Sequence, residues 1–244
     1  MGPPTSSGPY TASPQRPPEK RGGIRPEPYA VKAARTVPRR GLPGDRGTLF
    51  DKVKWSRTYR WIEFSVSDYL MDAPESVMES LSRTIYTKIR DTEETFYPED
   101  VCEWITSKEF RKAKQPMYIS RCRGLSLSTQ GEFRDLNDSY GRLVDQGLVE
   151  YDPEIYLGWG PRTSSRFAGA SSVLMKVVNM SHALDSENVP EEVLDYCMYA
   201  HLSHIGMGLM ADGPQRRLLF NKELNRFPGR AHALYTMEQL GIKA

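Results

Sequence analysis

Apolar residues recur at every third or fourth position over 72–90, 132–146 and 189–205, a spacing that places them on one face of an α-helix. With these, the sequence predicts six helices in all: 72–90, 98–112, 132–146, 189–205, 215–226, which Phe227-Pro228-Gly229 ends, and 231–240, which Gly241 ends. Pro74 and Pro190 fit the first turns of two of these helices, because a proline there gives up no helical hydrogen bond. Gly147 is a candidate C-cap for the third helix.

Other stretches alternate in polarity or are rich in β-branched and aromatic residues, which favours extended structure. They predict strands over 59–66, 155–159, 166–170 and 173–179, the last two joined around 169–172, and an extended segment over 117–127. Helices and strands in this order predict an α+β fold, in which helices pack on one face of a small and mostly antiparallel sheet. The region 91–150 is an insertion, either part of the helical layer or a small subdomain.

Residues 1–48 differ in composition from the domain predicted over 49–244. Residues 1–46 hold ten of the 18 prolines, nine basic residues and three acidic ones, a net charge of +6, so the remainder carries −4 of the overall +2. Such a segment buries too little apolar surface to offset its ordering entropy, and we expect a disordered basic arm. Basic arms bind nucleic acid or an acidic protein groove. A solvated tail without a specific partner is the alternative.

The sequence also carries signals about compartment. It has no run of 18 uncharged apolar residues, so we expect no membrane-spanning helix and no membrane partner. Its first residues lack the apolar core of a secretory signal. Three cysteines, odd in number and without CxxC spacing, argue against a disulfide framework and a cysteine zinc knuckle. These features predict a cytoplasmic protein.

Several segments occur in the order found in the SprT-like, or minigluzincin, zinc metallopeptidases. They are DAPE-x-V at 72–77, LGWGPRTSSRFAG at 157–169, the strand at 173–179, LD…VPEEVLDY at 184–196, and F-x-x-E…FPG…A…L from Phe220 into the last helix. The chain resembles this family well over 155–240, more weakly over 59–90, and not over 1–48 or most of 91–150. The resemblance implies a minigluzincin-like domain in which the helix at 189–204 faces the helix at 215–226 across a cleft.

The zinc motif departs from the family pattern. His-Glu-x-x-His places two ligands one helical turn apart, with a carboxylate base between them. This chain has Ala200-His201-Leu202-Ser203-His204, so only the last position keeps its expected residue. The family's third histidine falls at Arg216, whose charge opposes a zinc cation. The resemblance therefore implies a catalytically inactive, peptidase-like binding or scaffold module in a larger assembly, with no cofactor.

A rearranged metal site is the alternative. His201 and His204 can share a helix face, and a carboxylate from Glu223 or Asp212 would complete a two-histidine, one-carboxylate set. That set would make the chain a zinc-dependent hydrolase or protease. In the simpler interpretation both histidines are ordinary residues of an amphipathic helix, and Glu223 is solvated or ion-paired.

Three residues are candidates for binding rather than for metal coordination. Arg216 either fills the former metal pocket or points to solvent. Arg162 lies in the turn-rich loop 160–165, and His182, just before the motif helix, either lines a pocket or is an ordinary loop residue. We expect a protein partner held by the cleft, by the arm or by both. Binding of nucleic acid through residues 1–46 is a third interpretation.

Overall fold

The computed structural model describes residues 54–57, 62–91, 96–162 and 167–243. The predicted basic arm, residues 1–48, lies outside this part of the chain. The described residues form seven α-helices, a pair of strands and a three-stranded sheet. The α+β class predicted from the apolar pattern is confirmed.

The helices lie close to the positions that the apolar pattern predicts. In chain order they are α1 (Glu75–Asp91), α2 (Glu99–Thr106), α3 (Lys108–Arg121), α4 (Leu136–Asp145), α5 (Glu191–Gly206), α6 (Pro214–Leu224) and α7 (Arg230–Gln239). Gln146 is the C-cap of α4, and Gly147, the predicted C-cap, follows it in the left-handed conformation at φ +64°. Within the described ranges, no helix combines the length and apolar character that a membrane crossing needs.

The strands are β1 (Lys54–Arg57), β2 (Ile62–Ser65), β3 (Tyr156–Trp159), β4 (Gly169–Ser172) and β5 (Val177–Met180). β1 and β2 form a separate antiparallel pair. In the three-stranded sheet β5 lies at the centre, parallel to β3 and antiparallel to β4. This sheet is therefore mixed, whereas a mostly antiparallel sheet was predicted, because β3 and β5 pair in parallel. β4 is an edge strand that packs across α5.

The main hydrophobic core surrounds α5. β4, α4, α6 and α7 all pack against this helix. Tyr196, Met198 and Tyr199 are almost completely buried, and the hydroxyl of Tyr199 donates to the backbone oxygen of Glu223 at 2.9 Å. A helix covered on several sides needs apolar residues around most of its circumference. This requirement explains why the sequence of α5 is apolar well beyond a single stripe.

A second cluster of buried residues joins α1, α2 and the start of α3. Its members include Leu81, Val101, Ile105 and Phe110, and it reaches the turn before β5 at Met175. By contrast, α4 contributes Leu136, Tyr140 and Leu143 to the main core. The region 91–150 thus divides between the two cores.

Several local predictions were wrong. The helix expected over 98–112 is two helices, because Ser107 ends α2 and its Oγ accepts the N–H of Phe110 at 3.1 Å to cap α3. Residues 117–121 are helical rather than extended, since α3 continues through Pro116 to pack Tyr118 and Ile119 on the second core. The hairpin is shifted along the chain: residues 169–172 are β4 itself, and the turn is 173–176.

Candidate functional site

The segment 200–204 of α5 lies against β4 and α6. Ala200 and His204 are one helical turn apart, and His201 lies beside them on the same side of the helix. Ala200 is partly buried against the main core. Both histidine rings reach a single side chain on the edge strand, Ser171 of β4. The site is therefore built around two histidines and a serine.

Ser171 lies between the two rings. Its Oγ is 3.3 Å from Nδ1 of His201 and 3.2 Å from Nδ1 of His204, and the residue is only 7% exposed. Alternate side chains of a strand share a face, so Gly169 and Ser171 both face α5. A Cβ at Gly169 would lie 2.9 Å from Nε2 of His201. The glycine leaves the room that the His201 ring occupies.

Arg216, on the first turn of α6, donates a hydrogen bond to Nε2 of His204. Phe220, one turn later, meets the His204 ring edge-on with the ring centroids 6.0 Å apart. Of the two orientations open from the sequence, Arg216 has the inward one. The cation and the phenyl ring together hold His204 against α6.

The donors and acceptors of this network fix the protons. A guanidinium only donates, so Nε2 of His204 accepts and the ring proton lies on Nδ1. That proton is directed at Oγ of Ser171. The hydroxyl of Ser171 then has its own proton to give to Nδ1 of His201. The result is a directed chain of hydrogen bonds from Arg216 through His204 and Ser171 to His201.

His201 is held in its neutral form. Burial, with a smaller contribution from the neighbouring His204 ring, lowers its pKa to about 4. A neutral ring can accept the proton that Ser171 offers. However, a base of such low pKa removes protons poorly at neutral pH. Ser171 is therefore placed for a structural hydrogen bond rather than for activation as a nucleophile.

Glu223 does not join the histidines. Its Oε1 shares the hydroxyl proton of Tyr199 with the backbone oxygen of the same residue, at 3.1 Å from the hydroxyl, and accepts from Arg226 at 2.5 Å. Across the part of the chain that the structure describes, no three His, Cys, Asp or Glu side chains are grouped so that they could hold a metal ion. With Arg216 directed at His204 as well, the residues present do not fit a zinc ion. The set of His201, His204 and Glu223 is not brought together.

The other two binding candidates lie in a second polar cluster. His182 stacks on Trp159, with ring centroids 5.5 Å apart, and its Nδ1 is 3.6 Å from the carboxylate of Asp185. Arg162 is 73% exposed and lies 3.5 Å from Glu132. Their partners are distinct from those of His201 and His204, so the structure does not unite the six candidate residues in one site.

Asp185 organises this second cluster. Its carboxylate accepts the backbone N–H groups of Glu132, Phe133 and Arg134 at 2.7, 2.9 and 3.0 Å. Burial raises the pKa of this carboxyl, but the three backbone donors outweigh that effect and the pKa is lowered. Gly131 lies in the same turn. A Cβ at this position would lie 2.5 Å from the carboxylate of Asp185, so the turn leaves no room for a larger residue. These contacts tie the segment before α4 to the segment before α5.

Comparison of the chain with protein-family models, with curated proteins and with solved structures finds no match. The likeness to SprT-like peptidases therefore stays a prediction from the motifs.

No sequence pattern points to Ser171, which lies 30 residues before His201 and 33 before His204. The run of small residues from Gly169 to Ser172 was predicted as a turn, whereas it is the strand that faces α5. Only an assignment of that run to the edge strand could have placed Ser171 over the motif.

Proposed function

We propose that this protein is a catalytically inactive relative of the zinc metallopeptidases that serves as a protein-binding or scaffold module in a larger assembly. The observation that carries the proposal is the hydrogen bond from Arg216 to Nε2 of His204. A metal binds the lone pair of an imidazole nitrogen. Here one nitrogen of His204 accepts from a permanent cation, and the other carries the proton directed at Ser171.

Electrostatics supports the same conclusion. A guanidinium remains protonated at any physiological pH, so a divalent cation near His204 would have to displace or tolerate the charge of Arg216. His201 stands where the resemblance expects a carboxylate base. Its Nδ1 instead accepts the hydroxyl proton of Ser171. Arg216 therefore does not act as a zinc ligand, and His201 does not act as the carboxylate base that hydrolysis would need.

The binding role rests on what is retained. α5 and its packing against β4, α6 and α7 are well formed, although the chemistry that such a helix would serve is missing. The net charge of +6 over residues 1–46 supports a partner that presents negative charge. The three cysteines are unpaired thiols, which supports a reducing compartment such as the cytoplasm.

Metal analysis of the purified, untagged full-length protein tests the loss of the metal site, with His204→Ala as its partner sample. We expect no stoichiometric zinc or iron in either protein, and a melting temperature that a chelator does not change. Stoichiometric metal that disappears in His204→Ala would overturn the proposal. It would make the chain a metal-dependent hydrolase candidate with rearranged ligands.

Restoring the family residues tests the resemblance separately. The triple variant Ala200→His, His201→Glu, Arg216→His would rebuild the expected ligand set, and we expect it to bind zinc. The matched control carries Arg217→His in place of Arg216→His, which puts the third histidine on a different side of α6. Equal zinc uptake by the two variants, or none by either, would refute the inferred relation between α5 and α6.

A further inference from the structure

The two sides of α6 have different partners. Arg216, Phe220 and Leu224 face α5, where the first bonds His204, the second packs against its ring and the third is buried. Leu218 stands about 180° from this side of the helix, because each residue turns the chain by about 100°. The inward side thus fixes the helix in place, and the outward side is presented to solvent.

The outward side is apolar at its centre and basic beside it. Leu218 is 70% exposed and Leu219 is 41% exposed. Lys222 follows Leu218 by one turn, and Arg217 borders the same side. Both cations are exposed, and neither forms an ion pair with any residue that the structure describes. We call Arg217, Leu218, Leu219 and Lys222 the α6 surface.

The charge of the α6 surface indicates which occupant it suits. A second copy of the chain related by a two-fold axis would set Arg217 and Lys222 against the same cations of its partner, which is unfavourable. The basic residues 1–46 of the chain, with a net charge of +6, are repelled for the same reason. A phosphate backbone would satisfy the cations but would leave two exposed leucines without an apolar partner.

From these features we propose that the α6 surface binds a protein segment that presents leucine-like side chains between carboxylates. This chemistry satisfies both parts of the surface, because apolar side chains cover Leu218 and Leu219 while carboxylates meet Arg217 and Lys222. An amphipathic acidic helix has this composition and lies on a helical surface through residues at helical spacing. The proposal rests on the proposed binding function, for which it supplies the contact surface and the class of partner.

Binding of labelled synthetic peptides to the full-length protein, followed by fluorescence anisotropy, tests the α6 surface. The probe is an amphipathic peptide of about 20 residues with leucine on one face and glutamate beside it. Its two analogues replace every glutamate with glutamine, or every leucine with serine. We expect the acidic apolar peptide to bind at least about tenfold more tightly than either analogue, since both kinds of contact are needed.

Two double variants localise the binding. Arg217→Glu with Lys222→Glu, and Leu218→Ser with Leu219→Ser, should each weaken the peptide complex by about tenfold or more. Their controls are Lys112→Glu on α3 and Leu127→Ser, because Lys112 is also exposed and Leu127 is 84% exposed. We expect both controls to bind like the unaltered protein. Melting curves of all four proteins establish that they fold.

Other results would overturn the proposal. If the acidic peptide fails to bind, or if the control variants weaken its binding as much as the double variants do, the proposal is ruled out. The same holds if a DNA duplex or phosphatidylcholine–phosphatidylserine vesicles bind more tightly than the peptide and the double variants abolish that binding. The peptide result and the metal analysis fail independently. A metal-loaded protein would remove the proposed inactivity without changing the α6 surface, and an inert α6 surface would leave the metal-free site as it is.

Discussion

Arg216 on α6 donates its hydrogen bond to Nε2 of His204 on α5. This contact occupies the ring nitrogen with a cation and joins the two helices. On the opposite side of the same imidazole, Ser171 completes the network. Arg216, His204 and Ser171 thus form a hydrogen-bonded connection between β4, α5 and α6.

Removal of the Arg216 guanidinium should destabilise the contact between α5 and α6. We expect Arg216→Met, which keeps most of the aliphatic stem, to lower the free energy of unfolding by about 1–2 kcal/mol, because a partly buried charged hydrogen bond is lost. Urea denaturation measures the change. Arg217→Met, its exposed neighbour, should change stability by less than about 0.5 kcal/mol. Equal losses in the two proteins would contradict the inward contact.

The low pKa of His201 predicts a dependence of stability on pH. The unfolded ring takes up a proton near pH 6.5, whereas the folded ring does so only near pH 4. The folded state therefore binds fewer protons in this window. The stability from neutral His201 is present above about pH 6.5 and falls by up to about 3 kcal/mol as the pH drops towards 4.

Urea denaturation at several pH values between 7 and 4 measures this dependence. Replacement His201→Asn removes the titrating ring and keeps a polar group near Ser171. We expect a shallower fall of the free energy of unfolding in this variant over the same window. Parallel curves for the two proteins would show that His201 titrates alike in the folded and unfolded chains.

We expect the space beside the His201 ring to affect the stability of the fold as much as the hydrogen bonds do. A Cβ at Gly169 would lie 2.5 Å from the backbone oxygen of Asn179 on the paired strand and 2.9 Å from Nε2 of His201. We expect Gly169→Ala to lower the free energy of unfolding by about 1–3 kcal/mol through overpacking, measured by denaturant titration. Gly141→Ala within α4 meets open space and should raise stability by up to about 1 kcal/mol. The two alanines should thus have effects of opposite sign.

We expect the carboxylate of Asp185 to stabilise the turn before α4. Asp185→Ala leaves three backbone N–H groups without their acceptor, and we expect a loss of about 2–4 kcal/mol. Asp135→Ala removes one such bond, from Asn137, at the start of α4 and should cost about 1 kcal/mol. Thermal unfolding of both variants makes the comparison. A larger loss for Asp135→Ala would contradict the role given to Asp185.

Local sequence patterns predict some helices of this fold correctly and miss features of others. The helices α1 and α5 follow from apolar spacing, prolines and acidic first turns, and α6 and α7 from the proline and glycines that end them. All of these signals act within a few residues. The break at Ser107 and the helical course through Pro116 did not follow. A single capping serine is a weak local signal, and an internal proline argues locally against a helix. Packing on the second core decides both features.

The sequence alone determined the α+β class, the mainly apolar character of α5 and the presence of Ala200, His201 and Arg216 at the motif positions. Tertiary structure decided where those side chains point. It set Ser171 between the two histidines, turned Arg216 inward and Glu223 towards Tyr199, and paired β3 with β5 in parallel. These relations join residues that are 12 to 33 positions apart, and side-chain periodicity reports only which face of its own element a residue occupies, not what that face meets.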